Sequence, residues 1–245
     1  MTLLATGAAV MAGLASAEIE GELHAGWNSE YIFRGADQGG DSMTEAGIDF
    51  GTDLGQGFGL NAGIWYASVN GKVNAFDEVD YYGGINKDLD LGVLEGNLEI
   101  GYIYYDFPTD GASPGTSLLE EVYFAASTTV QGIDLGLTYF WDIEGDNDGY
   151  TEATADWSTE MCESTDLNIG LVLSYDWETS DLHHLGASVS LDYALNDVLT
   201  ISPYIAVTLA EDGVENGAGA APLTSPPTTT QDDEFWGGII LTAGF

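Results

Sequence analysis

Glu20, Glu22, His24, Glu30 and Arg34 share one parity of the stretch Ile19 to Arg34 (IEGELHAGWNSEYIFR), while Ile19, Leu23, Trp27, Tyr31 and Phe33 share the other. Side chains two residues apart lie on the same face of a β-strand, so the spacing predicts a strand with one acidic and one apolar face. Later stretches repeat the pattern with Glu45, Asp49, Asp80, Glu95, Glu99, Glu121, Asp142, Asp156, Asp176 and Asp192 on the acidic parity. A wall of like charges between low-dielectric surfaces concentrates counter-ions and repels co-ions, so its chemistry is cation attraction. Arg34 opposes that field, and we expect it to pair with Glu30, Glu45 or Asp49 as the anchor of a constriction.

Two further constellations could carry chemistry. Glu144-Gly-Asp146-Asn-Asp148-Gly149 imitates the first half of a calcium loop, with oxygen donors at alternate positions and glycine at the turn. Ala155 stands where a bidentate glutamate belongs, although Glu152 is near, and Asx-Gly clusters are also ordinary hairpin tips. Ca²⁺ is therefore the one cofactor considered, and otherwise none is expected. His183-His184 lacks the H-x-S-N-G-like surroundings of a barrel phospholipase, and His24 lies far from them in the chain. Rim histidines of this kind are hydrogen-bonded or solvated, so no catalytic residue and no enzyme activity is expected.

Composition limits the choices. With 41 Asp+Glu against 3 Lys+Arg, a formal net charge of −38, the chain cannot clamp phosphates, which excludes nucleic acid. The single Cys162 precludes an internal disulfide. Met1 to Ala17 (MTLLATGAAVMAGLASA) resembles a secretory h-region ending in an A-x-A site without its basic n-region, so residues 1–17 are expected to be a signal peptide with a truncated start, and 18–245 one domain. No later segment has the roughly 18 apolar residues of a transmembrane helix.

The elements that must position these carboxylates are alternating runs at about 19–34, 43–54, 58–70, 78–90, 93–107, 118–130, 132–143, 150–160, 166–177, 182–194, 198–210 and 234–245. That is about twelve strands, an even number as closed outer-membrane barrels require. Leu54-Gly-Gln-Gly-Phe58, Leu89-Asp-Leu-Gly92, Val130-Gln-Gly-Ile133 and Leu195-Asn-Asp-Val198 are short turns, whereas the other connections are longer and end with 211–233. Short turns on one rim and long loops on the other is the periplasm-to-exterior asymmetry of such barrels. The apolar parity places aliphatics centrally and Tyr66, Tyr102, Tyr104, Tyr139, Trp141, Tyr175 and Trp177 at the loop end, as an interfacial girdle would. Bulky residues on the acidic parity (Trp65, Tyr82, Tyr105, Tyr123, Phe140, Trp236) predict a narrow lumen.

The chain closes on Phe235-Trp-Gly-Gly-Ile-Ile-Leu-Thr-Ala-Gly-Phe245, an alternating strand ending in an aromatic residue, which resembles the insertion signal read by barrel-assembly machinery. Gly26 to Gln38 (GWNSEYIFRGADQ), with Ser29, Glu30, Tyr31, Phe33, Arg34, Gly35 and Gln38, resembles the opening of the TorF-like porins; Gly47-Ile-Asp-Phe50 and Gly63-Ile-Trp-Tyr-Ala67 resemble the same family's next strands. The resemblance implies an all-β, antiparallel up-and-down barrel in the bacterial outer membrane with a porin role. The partners then expected are outer-membrane lipid, the assembly machinery and small cations or solutes, in a barrel that could homo-oligomerise. The competing expectation is a structural surface-assembly protein whose acidic loops bind divalent cations without transport.

Overall fold

The computed structural model describes residues 19–38, 42–71, 75–90, 92, 95–108, 119–143, 148–210 and 233–245. The proposed leader at 1–17, nearly all of the loop 211–233, and Glu144 and Asp146 of the calcium-like loop lie outside them.

Period-two alternation produces strands throughout. In chain order they are β1 (Ile19–Asn28), β2 (Ile32–Phe33), β3 (Ala36–Asp37), β4 (Ser42–Gly55), β5 (Phe58–Asn70), β6 (Phe76–Asp90), β7 (Glu95–Asp106), β8 (Leu119–Val130), β9 (Ile133–Asp142), β10 (Tyr150–Cys162), β11 (Thr165–Asp176), β12 (Asp181–Ala194), β13 (Leu199–Ala210) and β14 (Glu234–Gly244). β1 and β4 to β14 form a closed antiparallel barrel of twelve strands, each paired with its sequence neighbours, and β1 closes on β14. No described helix is long and apolar enough to cross a membrane, which says nothing of strands.

Closure uses the last residue. Gly21 and Phe245 exchange two backbone hydrogen bonds of 2.9 Å, and the Phe245 ring lies over Gly21, where a Cβ would come within 2.4 Å of it. Phe50 meets the same ring edge-on at 6.2 Å. The residue read as an insertion signal therefore also completes the seam.

Short turns collect at one end. Gln56-Gly57 and Gln131-Gly132 both have positive φ (58° and 73°, 55° and 79°), the two-residue turn whose twist matches paired strands. The apolar parity faces outward: Leu60, Ile64, Leu98, Ile100, Leu135, Leu137, Ile169 and Leu171 are all exposed. Tyr66, Tyr102, Trp141 and Trp177 ring the long-loop end of that surface. Buried residues lie inside the barrel, chiefly in its long-loop half.

Glycines on the inner face make room for large rings. A Cβ on Gly101 would stand 2.2 Å from Tyr123 Cζ. Gly101→Ala is thus expected to destabilise the barrel by about 1–3 kcal/mol through overpacking. Urea unfolding in detergent measures this, and an unchanged midpoint would mean that the ring moves freely.

Candidate functional site

The inner wall departs from expectation at one place, the stretch after Asn28. The alternation predicts a strand running to Arg34 with Tyr31 and Phe33 turned outward. Instead β1 stops at Asn28, and residues 29–38 fold back into the mouth of the barrel as a small hairpin of β2 and β3, Ile32 opposite Asp37 and Phe33 opposite Ala36. Arg34 (φ 50°) and Gly35 (φ 80°) form its tip. Tyr31 and Phe33 are buried, not outward-facing, because the barrel mouth offers aromatic walls on every side. Tyr31 packs on Trp65 and Phe76 at 5.9 and 6.1 Å, and Phe33 meets Tyr105 edge-on at 6.1 Å.

Arg34 fixes the hairpin to the opposite wall. Its Nη1 and Nη2 donate to Glu121 Oε1 and Oε2 at 2.8 and 2.7 Å. The guanidinium carbon also lies 4.9, 4.7 and 4.5 Å from the ring centres of Phe33, Phe140 and Tyr150. The expected partners Glu30, Glu45 and Asp49 are replaced by Glu121, since the hairpin carries the side chain across the lumen. A bidentate fork within a desolvated aromatic clamp is a geometry that only arginine supplies.

Around this plug the predicted wall residues take distinct places. Glu45 accepts from Asn28 Nδ2 and Trp65 Nε1, both at 2.8 Å. Asp80 is fully buried, with the Glu78 carboxyl within side-chain hydrogen-bond reach. Beside it, Glu78 accepts from the Tyr31 hydroxyl at 2.8 Å. Asp142 and Asp176 are buried near the same mouth, the latter accepting from the Thr179 backbone N–H at 3.0 Å. Glu30 stands at the base of the hairpin, where burial first and then the Asp37 carboxylate raise its pKa from the ordinary glutamate value. It therefore gains its proton before ordinary rim carboxylates as the pH falls.

Toward the short-turn end the inner face opens. Glu22, Asp49, Glu99, Asp156 and Asp192 are half-buried there, and Glu20 and Glu95 are exposed near the rim. Asp49 accepts from the Tyr82 hydroxyl, Glu99 from the Tyr123 hydroxyl, and Asp192 from Asn168 Nδ2 at 2.8 Å. Lys87, near that rim, sits with its Nζ 4.3 Å from the Phe58 ring centre and donates to the Gln56 carbonyl. Among the described residues Arg34 is thus the lone Lys or Arg inside the barrel, and Glu121 neutralises it. Asp148 of the calcium-like loop is exposed, and its carbonyl accepts from the Tyr139 hydroxyl at 2.8 Å.

The sequence reading missed Glu78, Ser174 and the two buried histidines as one group around the hairpin. Ser174 Oγ lies 2.6 Å from His184 Nδ1, a separation that a nucleophile and base could share. Yet the same hydroxyl accepts from the His184 backbone N–H at 3.0 Å and lies 3.3 Å from its carbonyl, at a register shift between Leu173 and Tyr175. The pair also lies buried under the hairpin, with Gly35 against the imidazole. Ser174 satisfies an irregular ladder, and both side chains are buried.

A family described as "Bacterial protein of unknown function (Gcw_chp)" matches residues 16–197. No curated protein matches the chain. Among solved structures, an outer membrane channel from Pseudomonas putida F1 (COG4313) superposes with a TM-score of 0.53 at 11% identity, covering 95% of this chain and 97% of that one. The outer membrane phospholipase from Salmonella typhi, a dimer with bound calcium, gives 0.52 at 13% identity over 91% and 90%. Its Escherichia coli counterpart gives 0.51 at 12% over 91% and 95%. Identities this low establish the outer-membrane type of barrel fold and leave the chemistry to be argued from the residues.

Proposed function

The chain belongs to the Gcw_chp family of bacterial proteins, and on that premise we propose that it is an outer-membrane porin, a narrow channel that passes small cations by passive diffusion. The observation that carries this reading is the charge balance of the inner face. Carboxylates line it at both levels, and the lone described Lys or Arg inside is already paired with Glu121. Unpaired ionised carboxylates in a confined space need water and counter-ions, and the low-dielectric wall strengthens the field that draws them in. The exposed apolar band with aromatic rims supports an outer-membrane location. The likeness of Gly26–Ala67 to the TorF-like porins agrees with this role. We assign no enzymatic activity, because Ser174 and His184 are buried under the hairpin and the Ser174 hydroxyl serves the backbone of an irregular ladder.

Reconstitution in a planar bilayer under a KCl gradient tests the reading. The expected reversal potential has the sign of K⁺ preference, and it shrinks toward the ideal non-selective value as salt approaches 1 M, where the Debye length is about 3 Å. Preference for Cl⁻, or a membrane that stays silent with folded protein present, overturns the transport role.

A further inference from the structure

We propose that Glu22, His24 and Asp49 form a binding site for a divalent transition-metal ion of the Zn²⁺ class, inside the barrel on the short-turn side of the hairpin. Glu22 and His24 are two residues apart on β1 and share its inner face, and Asp49 on β4 stands directly opposite Glu22. One ligand atom from each lies within 4.8 Å of the others. A single ion with bonds of about 2.0–2.2 Å spans such a group after small side-chain movements.

The charge arrangement calls for a cation there. Like charges placed directly opposite each other across a ladder destabilise it. Glu22 makes no side-chain hydrogen bond among the described residues, whereas Asp49 is held on both sides. The Tyr82 hydroxyl donates to Asp49 Oδ1, and His24 Nδ1 lies 3.4 Å from Oδ2. Tyr82 thereby orients one ligand from behind, as outer-shell partners of metal sites do.

His24 is also held in place. Its cross-strand partner is Gly47, and a Cβ there would come within 2.4 Å of the imidazole Cε1 and Nε2. The ring rests on bare backbone, in a space that any other residue at position 47 would fill. One imidazole with two carboxylates suits Zn²⁺ and its neighbours better than Ca²⁺ or Mg²⁺, which prefer all-oxygen shells. Three protein ligands leave a coordination position for water or a solute group.

The site stands whether or not the barrel conducts, so its test reads binding. The full-chain barrel in detergent is titrated with Zn²⁺ by calorimetry, with millimolar Ca²⁺ present to occupy scattered surface acids. One equivalent is expected to bind, with affinity at least tenfold weaker in His24→Gln and in Glu22→Gln, and unchanged in Glu95→Gln at the rim. Heat-modifiable gel migration verifies that each variant is folded. Histidine modification by diethyl pyrocarbonate supplies a second readout, because His183 and His184 are 1% and 4% exposed and His24 is the accessible histidine. Zn²⁺ is expected to protect it. If His24→Gln binds Zn²⁺ like the parent, if no saturable equivalent appears, or if Zn²⁺ gives no protection, His24 and Asp49 are an ion pair and the proposal falls.

Discussion

Arg34→Ala is expected to lower the stability of the folded barrel by about 3–5 kcal/mol, the range for leaving one partner of a buried ion pair uncompensated, and to raise single-channel conductance severalfold. Both effects follow from one contact. Glu121 is 2% exposed and receives both arms of the guanidinium as well as the Tyr105 hydroxyl at 2.9 Å. Truncation leaves that carboxylate buried with the phenol alone. It also removes a cation stacked against three aromatic rings, each such contact worth about 0.5–2 kcal/mol. The hairpin then loses its attachment to the far wall while its tip keeps a left-handed backbone at position 34, a conformation tolerated only when surrounding contacts enforce it. Stability and occlusion can be separated. In Arg34→Ala/Glu121→Gln the buried charge is gone and Tyr105 keeps a partner, so most of the lost stability should return. The hairpin remains unanchored, so conductance should stay high. Chemical unfolding in detergent measures the first effect and bilayer recording the second. A double variant that conducts like the parent would show that the hairpin does not obstruct the path.

The barrel was legible because strand alternation is a local property. Predicted boundaries for strands such as 58–70 and 118–130 lie within a residue of β5 and β8, and the outward faces of β5, β7, β9 and β11 carry the aliphatics assigned to them. The hairpin was not legible, for a related reason. Tyr31 and Phe33 continue the parity of Leu23 and Trp27 without a break, so periodicity alone runs the strand through Ser29 to Arg34. A contrary signal was present. Arg34-Gly35 has the same X-Gly form as Gln56-Gly57 and Gln131-Gly132, and all three adopt paired positive φ. The latter two stand in short runs with glycine at the tip between two alternating stretches, which marks them as turns. Contacts between distant strands lie beyond any local pattern: Arg34 and Glu121 are 87 residues apart, and Tyr31 and Glu78 are 47 apart. A sequence shows that Arg34 needs a carboxylate, and only the fold selects which of many.

Leu171→Arg should cost about 2–4 kcal/mol when the barrel folds into lipid bilayers, whereas Ser188→Arg should fold nearly normally and weaken K⁺ preference. Leu171 lies near the middle of β11 between Ala155 and Ala187, with its side chain 50% exposed on the outer face. A charge there faces hydrocarbon with no partner. Ser188 is at almost the same height but on the opposite face, beside Gly170, where Asp156 Oδ1 and Ser188 Oγ both approach within 3 Å of where a Cβ would sit. An arginine at 188 therefore meets a carboxylate and water, and its charge subtracts from the field that selects cations. The pair of variants also distinguishes lipid from protein as the cover of the apolar face. If lipid covers it, the Leu171→Arg penalty depends on depth and fades in thin bilayers or small detergent micelles. If neighbouring subunits cover it, the variant dissociates assemblies at any bilayer thickness, and the surface-assembly reading gains. A folding penalty borne by Ser188→Arg instead of Leu171→Arg would mean that the strand faces are assigned the wrong way round, and the acidic lumen would have to be given up with them.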